Sequence, residues 1–536
     1  MNTTRPTYLA ADNTLRGWLT TLDHKRIALL YLATLVFFFA IGGLAALLMR
    51  LELLDPASTI VSPDIYNRLF TLHGVIMVWF FLIPSIPAVL GNFLIPLMIG
   101  ARDLAFPRLN LWSWYLFLIG GAFTLTALLV GGVDTGWTFY TPYSSRFSDT
   151  SAVLVLAGVV IQGFSSIFTA LNFIVTTHRL RAPGMGWFDL PLFVWAQYAT
   201  SIIIAVATPV LAMAFTLVML ERTGAFSVFD PTEGGDPLLY QHLFWFYSHP
   251  AVYIMILPGM GVVSEIITCE SRKPIFGYRA MAYSLFGIAF IGFLVWGHHM
   301  FVSGQSEYAS LLFSVLSFLV AVPSAIKVFN WTGTLWGGAI RWSAPMIYAL
   351  AFVLLFTFGG LTGLFLATLA VDVHLHDTYF VVAHFHFIMV GGMVTAFLGG
   401  QHFWFPKITG RRYPERAARI SALVITVGFV ATFLPQFILG LQGMPRRYAT
   451  YPEMFTGLHV ASTLGVALLG VGYLAPLVYL GWSAWRGAPA GDNPWQAAGL
   501  EWQAPSPPPT HNFDTPPVVP EMPYDYRAEA TDHSPA

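Results

Sequence analysis

The chain has 536 residues, 56% of them hydrophobic and only 10% charged, with a net charge of −1. That balance excludes a large soluble core, offers no basic surface for nucleic acid, and describes a polytopic membrane protein. The single cysteine, Cys269, excludes an intrachain disulfide and any thiolate cluster, and reads as a small buried side chain.

Residues 1–26 are mostly polar and are read as an N-terminal segment without a cleavable secretory signal. Apolar runs of about 20 residues or more then predict twelve transmembrane helices, over 27–49, 69–99, 109–131, 152–177, 191–220, 241–267, 280–301, 309–329, 343–369, 379–402, 418–441 and 457–483. The fold class is therefore all-α and polytopic, with 27–484 as one twelve-helix domain. No short-period repeat is present. Residues 485–536 are rich in Pro, Asp and Glu, carry Ser-Pro-Pro-Pro at 506–509, and read as an extended tail laid on the membrane domain or a partner.

Loop charge sets the orientation. With the N-terminus in the cytoplasm, inner loops and tails hold 19 basic residues and outer loops five: Arg68, Arg146, Arg222, Arg446 and Arg447. An even number of spans returns the C-terminus to the cytoplasm.

Six histidines interrupt apolar runs: His73, His249, His298, His299, His384 and His386. Span direction puts all six in the outer third of the bilayer, within about two turns of the outer face. Imidazole is the commonest transition-metal ligand and is costly in lipid without a partner, so six at one depth imply metal or haem inside the membrane. His24, His178, His242, His402 and His459 lie at or near span ends and read as interfacial or structural. Residues two apart on a helix point about 200° apart, so His384 and His386 cannot share a metal; two centres flanking one helix are expected. His249 and Tyr253 are four apart and share a face. The adjacent His298 and His299 differ by about 100°, so their use at one metal requires a distorted helix or different ring nitrogens.

The stretches "TLHGVIMVW" (71–79), "GNFLIPLMIGARDLAFPRLN" (91–110), "GWTFYTPYSS" (136–145), "HLFWFYSHPAVYIMILPG" (242–259), "GHHMF" (297–301), "AVPSAIKVFNW" (321–331), "LHDTYFVVAHFHF" (375–387) and "GMPRRY" (443–448) resemble subunit I of the haem–copper oxidases, in particular the cytochrome c oxidases. The resemblance runs along nearly the whole chain. It implies that His73 and His386 are the axial ligands of a low-spin haem A, and that His384 is the sole axial ligand of a high-spin haem A. It implies further that His249, His298 and His299 hold copper-B, and that Tyr253 is cross-linked to His249 as a source of one electron and one proton. Phe385, between the two haem ligands, is a short electron path or a packing aromatic. Arg446 and Arg447 match propionate-binding arginines. Arg50 and Trp137 match haem contacts. His376 and Asp377 match two ligands of a magnesium site completed by subunit II, where a solvated helix cap is the plainer alternative.

The same resemblance assigns proton routes. Lys327 and Ser324 match one pathway, Ser324 replacing the usual Thr, while Asp103, Asn92 and Asn110 match the mouth of another. In most members a Glu near the haems completes that second route. Here Ala251 stands in its place, and Tyr247-Ser248 before His249 resembles a subtype in which the tyrosine hydroxyl substitutes.

The expected function is subunit I of a proton-pumping cytochrome c oxidase in a bacterial inner membrane. Its expected cofactors are two A-type haems, one copper and a magnesium ion. Expected partners are a subunit II with a dicopper centre (this chain lacks the two Cys that centre needs), subunit III and small subunits, lipids, and a soluble or tethered cytochrome c. A quinol oxidase has nearly the same subunit I. Nitric oxide reductases share the six histidines, but Tyr253, Lys327 and Asp103 together favour the oxygen enzyme. A twelve-span metal or proton-coupled transporter is the alternative from another class.

Overall fold

A computed structural model describes residues 7–57, 59–513, 515–519, 524 and 526. The principal helices are α1 (His24–Glu52), α2 (Pro63–Met98), α3 (Pro107–Leu129), α4 (Ala152–Arg179), α5 (Leu192–Arg222), α6 (Pro237–Ser271), α7 (Tyr278–Gly292), α8 (Glu307–Leu335), α9 (Ala344–Ala367), α10 (Tyr379–Thr409), α11 (Glu415–Leu441) and α12 (Thr456–Arg486). Among the described residues β contacts are limited to isolated bridges.

Many helices extend past the apolar run that marks them, because polar residues start them. Ser62, Asp236, Ser343 and Thr378 accept backbone N–H groups at the first turns of α2, α6, α9 and α10. Pro63, Pro107 and Pro237 open α2, α3 and α6, where no N–H is missed.

Among the described residues eleven helices are long and apolar enough to cross a membrane. The seventh expected span, 280–301, is not one continuous helix. Its helix stops at Gly292 after 15 residues, roughly 22 Å at 1.5 Å per residue against a hydrocarbon core of about 30 Å. The chain then turns through a separate 3₁₀ segment, Trp296–Met300. Close packing accompanies the break: a Cβ on Gly292 would lie 2.6 Å from the Tyr253 ring.

The most apolar windows of α6 and α2 are 94% and 83% buried, against 22% for α1 and α8, so α2 and α6 run through the middle of the bundle. α2 widens into π turns over Val78–Leu82 and Ser85–Gly91, where Pro84 and Pro87 remove backbone donors. α10 does the same over Met389–Val394. Both departures follow closely after a cavity-lining histidine, His73 or His386.

After α12 the chain folds back across the end of the bundle where α1 begins, called here the tail face. Tyr8 donates to the Ile408 carbonyl at 2.8 Å, and Trp495 Nε1 to the Phe403 carbonyl at 2.7 Å. Trp502 is buried. Residues 527–536 of the expected tail lie outside the described residues.

Candidate metal centres

One cavity of about 1200 Å³ inside the bundle is lined by all six histidines. Pockets for a single drug-sized molecule run to about 300–1,000 Å³, so there is room for more than one large group.

His73 on α2 faces His386 on α10 with ring centroids 6.3 Å apart and planes 12° from parallel. His73 Nδ1 donates to the Gly42 carbonyl at 2.9 Å, and His386 Nδ1 to the Val382 carbonyl at 2.8 Å. Each carbonyl can only accept, which leaves each Nε2 with its lone pair free. The spacing suits one metal ion between two imidazoles, with bonds of about 2 Å on either side. Phe433 stacks on His386 at 4.3 Å.

His384 turns to the other side of α10. Its Nδ1 donates to the Gly359 carbonyl at 3.0 Å, with Thr362 Oγ1 at 3.1 Å, both on α9. A Cβ at Gly363 would sit 3.0 Å from His384 Cε1, so glycine admits the ring. Phe385 lies 4.6 Å from the His386 ring.

His249, His298 and His299 converge, with one ring nitrogen of each within 4.8 Å of the others. His249 Nδ1 is 3.1 Å from His299 Nε2. Ligands of a tetrahedral ion at about 2.0 Å stand about 3.3 Å apart, so a copper-sized ion fits the donors present. The helix break at Gly292 is what permits adjacent histidines to do this: on the 3₁₀ segment their rings are 4.4 Å apart and inclined 52°. Ser317 Oγ donates to the Phe313 carbonyl and accepts from His298 Nδ1 at 2.8 Å, leaving His298 Nε2 free. Trp245 stacks on His299 at 3.7 Å and 7°. Tyr253 places its hydroxyl 2.8 Å from His249 Nε2, the nitrogen turned away from His299.

Away from the tail face, Arg50, Trp137, Arg446, Arg447, His376 and Asp377 also line the cavity. Arg50 donates to the His459 carbonyl at 2.7 Å and to Thr463 at 2.9 Å. Trp137 packs edge-on against Trp245. Arg446 pairs with Asp377, and its buried Nε has no protein partner. Arg447 lies over Phe70, and burial beside Arg446 lowers its guanidinium to about 10. Burial works to raise the Asp377 carboxyl, but Arg446, His376 and Arg447 hold it below its ordinary value. His376 Nδ1 bonds Asp372 at 3.0 Å, so the adjacent His376 and Asp377 have different partners.

The residues matched to proton routes are spread along the bundle. Lys327 is buried and donates to the Met281 carbonyl at 2.5 Å. Ser324, one turn away, bonds the Val320 carbonyl and lines the cavity. Asp103 lines a groove of about 400 Å³ at the tail face, where burial raises its carboxyl to about 7. Asn92 Oδ1, both amide atoms of Asn110 and Ser248 Oγ are buried without a protein partner, as are Gln197 and Thr200 on α5. Tyr247 stacks on Trp79 at 5.6 Å.

Sequence reasoning did not find the groups that hold these side chains: the Gly42 and Gly359 carbonyls, Thr362, Trp245 and Asp372. Backbone carbonyls carry no sequence signal. Nor did sequence reasoning find Ser317 as the partner of His298.

Residues 26–468 match the family model described as cytochrome c and quinol oxidase polypeptide I. The chain belongs to that family. Cytochrome c oxidase subunit 1 of Thermostichus vulcanus is 45% identical over 95% of this chain and 93% of that protein. The Synechocystis sp. protein of the same name is 45% identical over 97% and 95%, and that of Bacillus subtilis 40% identical over 94% and 81%. A solved heme–copper terminal oxidase dimer shares the fold, with a TM-score of 0.73 over 86% of this chain and 84% of that chain, at 20% identity. The protein is thus an integral-membrane oxidoreductase, a subunit I of the cytochrome c oxidase kind. Membership implies haem and copper, whose donor sets the histidine geometry fits, and assembly with other oxidase subunits. It removes the transporter reading.

Proposed function

We propose that the chain is the catalytic subunit of a proton-pumping cytochrome c oxidase of the Tyr-Ser subtype. One observation carries this reading: the His249–His298–His299 trio, with Tyr253 against His249, opens into the same cavity as the facing pair His73 and His386. In this reading His73 and His386 hold a low-spin haem A, His384 a high-spin haem A, and the trio copper-B. When bound, these groups supply electron transfer and the site of oxygen reduction.

The side chains of the protein handle charge and protons. Tyr253 and His249 form a cross-linked pair that gives up one electron and one proton. Arg446 and Arg447 bind propionates, and Arg50 and Trp137 contact the low-spin haem. A magnesium ion would take the free ring nitrogen of His376, an Asp377 oxygen, waters and ligands from subunit II; the Arg446–Asp377 pair leaves only part of that carboxylate available.

Protons enter at the tail face, read as cytoplasmic from the loop charges. Lys327 and Ser324 lead towards Ser317 and Tyr253. Asp103, Asn110 and Asn92 lead towards Tyr247 and Ser248, past buried polar atoms that lack protein partners. Each such atom costs about 1–3 kcal/mol if left unpaired, which favours ordered water along this line. Residues 1–26 and 485–536 are then cytoplasmic, and 27–484 form the oxidase domain in a bacterial inner membrane. The partners are a subunit II with a dicopper centre, subunit III and a cytochrome c.

Oxygen uptake by the purified complex tests the reading. Reduced cytochrome c should sustain turnover. Turnover with quinol alone would transfer the protein to the quinol branch of the family, and failure with both donors would reject the proposal.

A further inference from the structure

The returning tail crosses the bundle next to Asp103, and one of its side chains joins three elements. Asn512 is fully buried at φ 65°, a left-handed conformation that asparagine tolerates better than most residues. Its Nδ2 donates to the Ala101 carbonyl at 2.9 Å, two residues before Asp103, and to His24 Nε2 at 3.0 Å. Its Oδ1 accepts from Lys25 Nζ at 2.8 Å. Lys25, itself fully buried, also donates to the Thr510 carbonyl at 3.1 Å and pairs with Asp23 at 3.0 Å. His24 Nδ1 donates to the Asn92 carbonyl at 2.6 Å, which fixes its Nε2 as the acceptor facing Asn512. Every polar atom of the Asn512 amide is engaged.

A tail fastened only for stability needs no buried cation. Burying Lys25 is costly unless partners surround it, and two of those partners, Asn512 Oδ1 and the Thr510 carbonyl, belong to the tail. We propose that Asn512 is a positioning residue for proton entry: it fixes Lys25 beside Asp103 and, through His24, the backbone of Asn92. The functional meaning rests on the Asp103 route proposed above; the geometry does not.

The charged groups acting on Asp103 are Asp23, which caps α1, and Lys25 in α1; Arg102 from its own loop and Arg181 from the loop after α4 line the same groove. The described tail residues of the groove, Phe513, Thr515 and Pro516, are uncharged. Burial is the main cause of the raised Asp103 carboxyl; Asp23 adds to it and Lys25 opposes it. Loosening Lys25 therefore raises that carboxyl further.

The test is an infrared pH titration of the Asp103 carboxyl in the whole complex, its band identified by loss in Asp103→Asn. Asn512→Gly keeps a backbone conformation glycine favours and deletes the amide. We expect the Asp103 midpoint to rise by about half a unit or more. We also expect Lys25→Met combined with Asn512→Gly to shift it no further than Lys25→Met alone. An unchanged midpoint, or two shifts that add in full, overturns the inference. If the glycine variant fails to assemble, Lys25→Met alone should raise the midpoint by about half a unit or more; an unchanged value there is equally decisive. The titration reads the proton on Asp103 whether or not that proton is used. Unaltered turnover in Asp103→Asn would instead reject the route and leave the clamp standing.

Discussion

His249 and Tyr253, one turn apart on α6, meet through Nε2 and the phenol oxygen at 2.8 Å, while the other nitrogen of the same imidazole points at His299. One ring thus connects a metal-ligand cluster to a phenol. Peptide mass spectrometry of active enzyme should find His249 and Tyr253 joined, with the mass of two hydrogens lost. Tyr253→Phe should lower turnover by about a hundredfold or more, the scale of losing a positioned proton donor, with both haem spectra retained. Two unmodified side chains in active enzyme would contradict the cross-link.

The two faces of α10 should be separable. His386→Leu removes one of the facing pair and should reduce extracted haem from two to one per complex, abolishing the low-spin absorption band. His384→Leu should abolish the high-spin band and leave the low-spin one. Loss of the same band in both variants would mean that α10 does not divide the centres.

Gly363 provides a finer test. An alanine there brings a methyl to 3.0 Å from His384 Cε1, tighter than ordinary packing. Gly363→Ala should shift the high-spin spectrum and weaken carbon monoxide binding several-fold while leaving the low-spin band in place. Equal disturbance of both bands would show that the contact is not local.

Asp103 predicts a pH dependence of known sign. Its folded value of about 7 lies above the ordinary carboxylate value, chiefly through burial. The protonated form is therefore favoured by folding, and that contribution, full below about pH 4, is lost as pH rises through 7. Asp103→Asn should match the wild type in thermal resistance near pH 4 and exceed it near pH 8, scored by loss of haem absorption. In the same pathway Tyr247→Phe should lower turnover and pumping with haem spectra intact. A wild type more resistant than Asp103→Asn at pH 8 would reverse the sign.

Much of this was legible in the sequence because the bilayer simplifies the code. Apolar runs of fixed length gave the helices, and helix direction put six histidines at one depth. The 200° between His384 and His386 separates α9 contacts from α2 and α11 contacts as observed. The stop at Gly292 was not legible, since 280–297 reads as one mostly apolar run and the close approach of Gly292 to the Tyr253 ring is a tertiary contact that no local pattern marks. That break lets His298 and His299 converge, which an unbroken helix would hinder. The carbonyls that aim His73, His384 and His386 were also invisible, because their identity depends on which helices meet. The Asn512 clamp was missed for a related reason: composition marked the tail as extended, while its bonds reach residues almost 500 positions earlier.

The most direct test of the account is haem extraction with copper analysis of the purified complex, compared between the wild type and His299→Asn. Two haems per complex are expected in both, A-type in each case, and one copper fewer in the variant. A complex without haem, or a variant with undiminished copper, would contradict it.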